Sequence, residues 1–213
     1  MRFSFERRNG SIAEMERIKV YPDHPHGRIV QQAVEALNNG DLVIYPTDTV
    51  YGIGCSIYKK QAMEKLYRLK GKSKFVPMSV ICASIRQAAQ FARIDTATFR
   101  LLRRCFPGPF TVILPATRQI PRLMLSRRKE VGIRIPDSRL ILEIVEALGH
   151  PLLNSSIHLM PNGVYHELVV PPELENAAAL MLDAGPLPES GESTILRILN
   201  GEVEIVREGK GEV

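Results

Sequence analysis

The chain has 213 residues, 45% of them apolar and 24% charged, with a formal net charge of +5. These proportions fit one globular domain and exclude a disordered or collagen-like chain. The longest wholly apolar run, Ala177 to Leu182, is far short of the roughly 20 residues that span a bilayer. No apolar signal core opens the sequence, so the chain reads as soluble and cytoplasmic, with no membrane partner. Cys55, Cys82 and Cys105 lie far apart, and no CxxC or HExxH spacing occurs. Reduced, packed cysteines are therefore expected rather than a disulfide framework, and no metal ligands are assigned.

Residues 1–26 are polar and irregular and read as an N-terminal arm; the domain is placed at 27–213. Ile29, Val30, Ala33, Val34 and Leu37 recur at helical spacing, and Gly40 closes that helix. Leu42 to Tyr45 is an apolar run that reads as a strand. Met63, Leu66 and Leu69 place a helix over 60–69, stopped by Gly71. Met78 to Cys82 is the next strand, and Thr96 to Cys105 is a helix capped by Asp95. Phe110 to Leu114 and Val131 to Ile135 read as strands, Leu140 to Leu148 as a helix ending at Gly149, and Leu152 to Ser155 as a strand. Proline and acidic residues at 171–175 open a helix running to about Leu180. STILRIL and VEIVRE around Asn200-Gly201 form a hairpin signal. Alternating strands and helices, without repeats or a long linker, predict a single α/β (α+β) domain with helices over a twisted mixed sheet.

Charge is unevenly spread. Lys59 to Lys74 holds seven basic residues against Glu64, and Arg100 to Glu130 holds eight against Glu130. From Tyr165 onward ten acids face three basic residues. Such segregation points to an anionic partner near the middle of the chain, although a solvated basic surface gives the same pattern. Aromatic residues are only 6%, too sparse for a platform that stacks single strands.

Three polar clusters follow predicted elements. Pro46 to Gly54 sets two hydroxyls, a carboxylate and a phenol beyond a strand, with Gly52 and Gly54 permitting close backbone approach; a turn capped by Asp48 is the plainer reading. Lys70, Lys72 and Lys74 alternate just past a helix end, which suits a polyphosphate, or simply caps the helix dipole. Asn154, Ser155, Ser156 and His158 lie at the end of a strand, where hydroxyls can bond phosphate oxygens. A serine nucleophile is not indicated, because no third group orients His158 toward Ser156.

PTDTVYGIG, LKGKSKFVPMSV, FPGPFTVIL, VGIRIP and PLLNSSIH, in this order, resemble the YrdC/YciO family from about Gly27 to Glu208. The resemblance implies a YrdC/RibB-like fold with a basic concave groove. It also implies an L-threonylcarbamoyladenylate synthase-like nucleotidyltransferase. Such an enzyme joins L-threonine, bicarbonate or CO2, and ATP with Mg2+, without a bound organic cofactor, for N6-threonylcarbamoyl modification of adenosine 37 in tRNA. Two other functions remain open: a non-catalytic protein that binds double-stranded RNA or tRNA, and an enzyme acting on another nucleotide-activated small acid. By resemblance Lys70, Lys72, Ser156 and His158 are the catalytic group. Thr47, Thr49, Tyr51, Thr111, Arg134, Ser155, Ser193 and Arg207 are the substrate-binding group. Lys72 stands where the family has arginine, His158 where it has asparagine, and Glu192 where it has proline. These departures place the chain nearer the YciO-type paralogues.

Overall fold

The computed structural model describes residues 14–71, 78–124, 128–161, 168–187, 191–199 and 201–212. In chain order its strands are β1 (Glu16–Lys19), β2 (Leu42–Tyr45), β3 (Tyr51–Ser56), β4 (Ser79–Ile81), β5 (Phe110–Pro115), β6 (Glu130–Arg134), β7 (Leu152–Ile157), β8 (Met160–Pro161), β9 (Leu168–Val169), β10 (Ala178–Asp183), β11 (Thr194–Leu199) and β12 (Glu202–Arg207). Its helices are α1 (Gly27–Asn39), α2 (Lys60–Leu69), α3 (Ile85–Phe91), α4 (Thr96–Cys105), α5 (Arg139–Leu148) and α6 (Pro172–Glu175). Among the described residues ten strands form one mixed sheet in the order β1-β10-β2-β3-β7-β4-β6-β5-β11-β12, while β8 and β9 pair separately. The molecule is a single α/β domain.

Helices cover both faces, and the alternation of side chains along each strand feeds two cores. On β2, Leu42 and Ile44 join the larger core with Leu66, Phe91 and Leu102 of α2, α3 and α4. Val43 and Tyr45 join the smaller one, under Leu37 of α1 and Ile144 of α5. Burial of both strand faces explains why this segment reads as a continuous apolar run. Helix α1 buries Val30, Ala33, Val34 and Leu37 along one stripe and stops at Gly40, whose φ of 87° suits glycine. Asp95 caps α4 by accepting from the Thr98 N–H at 2.7 Å. Among the described residues no helix is long and apolar enough to cross a membrane.

Two expectations are corrected. The helix expected from 171–175 to Leu180 is one turn, α6, after which the chain enters β10. AALMLD lies between β1 and β2, and all of its residues except Ala179 are buried. An apolar run of this length cannot be assigned to helix or strand by periodicity alone, and the sheet decides. Within the stretch read as an irregular arm, residues 16–19 pair in parallel with β10 as an edge strand, anchored by Arg17 Nε to Asp183 Oδ2 at 2.8 Å.

Of the strands, β5, β6 and β11 contribute nothing to the core beneath α1 and α5. On that face Thr111, Ile113, Glu130, Gly132, Arg134, Ile195 and Arg197 line a cleft instead. The open floor thus created is where the polar clusters meet.

Candidate functional site

One row of register partners crosses this floor: Asn154 on β7, Ser79 on β4, Gly132 on β6, Ile113 on β5 and Arg197 on β11. The row lines a cleft of about 370 Å³ together with Lys70, Thr111, Arg134, Ser155, Ser156, His158, Ser193 and Arg207. Segments distant in sequence therefore converge as expected, because period-two alternation sends every second residue of five strands to the same face. Lys72 lies outside the described residues. The lining does not include Thr47, Thr49 or Tyr51, all three buried.

Thr47 and Thr49 instead hold Arg134. Its Nη2 lies 3.0 Å from Thr47 Oγ1, 2.7 Å from Asp48 Oδ1 and 2.6 Å from Thr49 Oγ1. Thr47 Oγ1 in turn donates to the Val50 carbonyl at 2.6 Å and accepts from the Thr49 N–H at 3.2 Å. The PTDT segment is thus a socket for a guanidinium that is only 2% exposed. Among the described residues Arg134 Nε has no hydrogen-bond partner, and neither has Asp48 Oδ2. A buried, unsatisfied donor on a cleft-lining arginine is costly unless something in the cleft accepts from it. Tyr51 serves elsewhere. Its phenol donates to the Gly185 carbonyl at 2.9 Å and accepts from the Ala184 N–H at 2.8 Å, fixing the exit of β10. Burial raises its pKa.

A second assembly sets Asn154. Tyr45 OH donates to Asn154 Oδ1 at 2.8 Å, and Asn154 Nδ2 donates to Ser79 Oγ at 3.2 Å. The Tyr45 ring lies across β3, where a Cβ on Gly52 would come within 2.6 Å of Tyr45 Cε2 and 2.7 Å of Asn154 Oδ1. Gly52 and Gly54 therefore admit a side chain from the neighbouring strand. Lys70 closes α2, and its Nζ donates to the Ser156 carbonyl at 3.0 Å, so the ammonium sits at the mouth of the cleft beside β7.

The far wall comes from the C-terminal strands. Arg207 Nη1 binds Glu192 Oε2 at 2.6 Å, and Arg207 Nη2 donates to the Ser193 carbonyl at 2.7 Å. Glu192 Oε1 also lies 3.5 Å from His158 Nε2 on the facing strand end. Ser193 Oγ and Thr111 Oγ1 are 3.0 Å apart. Lys210 reaches back with its Nζ to the Asp48 carbonyl at 3.1 Å, tying this wall to the PTDT socket.

Sequence reasoning missed Ser79, Glu130, Glu192 and Arg197 as lining residues. Alternation could have found two of them: counting back from Arg134 gives Gly132 and then Glu130, and Thr194 on β11 predicts Arg197 on the opposite face. The charge argument pointed to neither acid, since an anion site selects only cations. Glu130 lies 3.6 Å from Arg197 Nε. Among the described residues no group of three His, Cys, Asp or Glu side chains gathers to hold a metal ion.

Comparison with known proteins is consistent with this architecture. The profile of the Sua5/YciO/YrdC family, described as telomere recombination, matches residues 35–209. YciO of Escherichia coli is 31% identical over 198 residues, covering 91% of this chain and 95% of YciO. The crystal structure of E. coli YciO superposes with a TM-score of 0.80 at 28% identity, over 93% of this chain and 97% of that one. Threonylcarbamoyl-AMP synthase of Mus musculus is 28% identical over 187 residues, covering 84% of this chain and 66% of the synthase. The crystal structure of P. abyssi Sua5 complexed with L-threonine gives a TM-score of 0.75 at 23% identity, over 92% of this chain and 57% of Sua5, a likeness of fold. The chain thus spans nearly all of YciO but a smaller part of the synthase and of Sua5.

Proposed function

Because the chain belongs to the Sua5/YciO/YrdC family, we propose that its cleft makes threonylcarbamoyl-AMP from L-threonine, bicarbonate and ATP. The observation that carries this reading is Arg134. Its guanidinium is held by Thr47, Asp48 and Thr49, the residue lines the cleft, and its buried Nε–H has no hydrogen-bond partner among the described residues. A carboxylate or carbamate is the ligand group that such a donor fits best. The mouse relative named as the synthase and the threonine complex of Sua5 support the same substrate class.

In this scheme bicarbonate and the threonine amine condense to a carbamate with loss of water. A carbamate oxygen then attacks the α-phosphorus, the bond from that phosphorus to the bridging oxygen breaks, and pyrophosphate leaves. No covalent enzyme intermediate is needed. The chain's contribution is to position the reactants and balance their charge. Lys70 and Arg207 face the phosphates from opposite walls, Ser156 donates to a phosphate oxygen, and Arg134 with Ser155 orients the acid. Mg2+ would be held by the triphosphate oxygens and water, since Glu130 and Glu192 are already drawn to arginines; it supplies neutralisation of the leaving pyrophosphate. The product would serve tRNA modification.

Binding of tRNA or double-stranded RNA without turnover is a second reading. It is favoured by α4, where Arg100, Arg103 and Arg104 are exposed around one shallow depression. Pyrophosphate release that requires both threonine and bicarbonate supports the synthase. Salt-sensitive RNA binding with no such release overturns it in favour of the binder.

A further inference from the structure

Two residues that line the cleft, one at each side of its mouth, meet in space. The Glu192 and His158 side chains lie 3.5 Å apart across the cleft mouth. The other oxygen of the same carboxylate is 2.6 Å from Arg207 Nη1. Glu192 therefore bridges a cation on one wall and an imidazole on the other. It stands where an anionic ligand entering between these walls would put an oxygen. The Glu192 backbone is fixed as well, because its carbonyl accepts from the Lys210 N–H at 2.8 Å. The tail thus holds the Glu192 backbone, and Arg207 holds its carboxylate.

We propose that Glu192 is the cleft's built-in anion, a specificity-determining residue that competes with ligand phosphates for Arg207 and sets how much negative charge the cleft accepts. The proposal deepens the nucleotide reading and rests on it for the identity of the ligand. A carboxylate on Arg207 cancels one of the charges that would attract a phosphate, and it repels each further negative charge of the ligand. The penalty rises with ligand charge, so a triphosphate suffers more than a monophosphate. In this chain the cleft consequently favours phosphate groups of low net charge, such as an adenylate or a cation-neutralised nucleotide, over a bare oligophosphate.

The test is a binding ladder of inorganic phosphate, pyrophosphate and tripolyphosphate, measured by titration calorimetry on the full chain. The proteins are wild type, Glu192→Gln, Glu192→Asp and Glu192→Gln/Arg207→Ala. Glu192→Gln is expected to tighten tripolyphosphate about tenfold and phosphate about threefold or less at low salt, the spread shrinking as salt screens the charges. Glu192→Asp keeps the charge and follows the wild-type ladder. The double variant loses the gain, because the competition is for Arg207. Equal isotherms for wild type and Glu192→Gln overturn the proposal, as does a gain independent of ligand charge or one that survives loss of Arg207. Absence of binding in both proteins overturns it too. The ladder uses no threonine and no turnover. A graded gain without threonine-dependent pyrophosphate release therefore rejects the synthase reading alone, and turnover with a flat ladder rejects this inference alone.

Discussion

Asp48 Oδ1 lies 2.7 Å from Arg134 Nη2, joining the first polar cluster of the sequence to a strand 86 residues later. The side chains are 11% and 3% exposed, so the pair is a buried one. Removing one partner of such a pair strands the other charge. Asp48→Ala is therefore expected to cost about 3–5 kcal/mol of stability. Thr49→Val, which removes one neutral acceptor, should cost about 1–3 kcal/mol. Urea unfolding curves check both values. Threonine affinity should fall in Thr49→Val even where the protein remains folded, because the guanidinium loses part of its socket.

The Tyr45–Asn154 contact gives a second prediction. Tyr45→Phe leaves Asn154 Oδ1 buried without its donor and should cost about 1–3 kcal/mol. Gly52→Ala drives a methyl into the Tyr45 ring and the Asn154 amide, and overpacking of this kind costs about 1–3 kcal/mol. Thermal melts of the two variants would check this. A Gly52→Ala protein as stable as wild type would show that Tyr45 can move aside.

Alkaline pH should unfold the protein through its buried acids. Burial pushes the Cys55 thiol and the Tyr67 phenol each up to about 12, and it raises Tyr45, Tyr51 and Cys82 as well. In the unfolded chain such groups ionise near about 8.5–10. The native state then holds more protons than the unfolded state, so the stabilisation is whole below about pH 8.5 and is lost as pH rises toward 12. The urea midpoint measured from pH 8 to pH 10.5 should fall steadily. A midpoint that stays level over this interval would contradict the assignment.

Lys70 is tethered to the Ser156 carbonyl at the cleft mouth, whereas Lys59 is exposed at the start of α2. Lys70→Ala should weaken ATP binding by about 1.5–3 kcal/mol, the worth of a charge-assisted contact. Lys59→Ala should leave it nearly unchanged. Equal affinities in the two variants, measured by calorimetry, would remove Lys70 from the phosphate site.

Much of this was legible from the residues, and the exceptions share a cause. β2 and α1 were readable because their burial is local and periodic. β3 was not, because YGIGCS carries two glycines that disfavour a strand in isolation; they are tolerated because the Tyr45 ring and Asn154 fill the space a side chain would take. β10 was misread because Ala, Leu and Met favour a helix, and only its neighbours β1 and β2, more than 130 residues away in sequence, make it a strand. At the site, the resemblance named Lys70, Arg134, Ser156 and Arg207, and all four line one cleft. It also named Thr47 and Thr49, whose hydroxyls accept from Arg134 beneath the cleft lining. Glu192 was noted as a departure but given no place in the site, because an acid contradicts the charge logic that selected the other residues.

The position of β11 in the sheet has a consequence for synthesis. β11 covers the free side of β5, and β10 covers that of β2, yet both partners are translated long after the strands they protect. At roughly 5–20 residues per second, a ribosome that has finished β5 needs on the order of 4–16 seconds to reach β11. Until its own late partner emerges, each of FTVILP and LVIY offers a row of unpaired backbone groups flanked by apolar side chains, a ready template for pairing with another chain. The nascent protein is therefore at its most vulnerable while its cleft still lacks a wall, and the same late segment that supplies Arg197 and Arg207 also seals the sheet against aggregation.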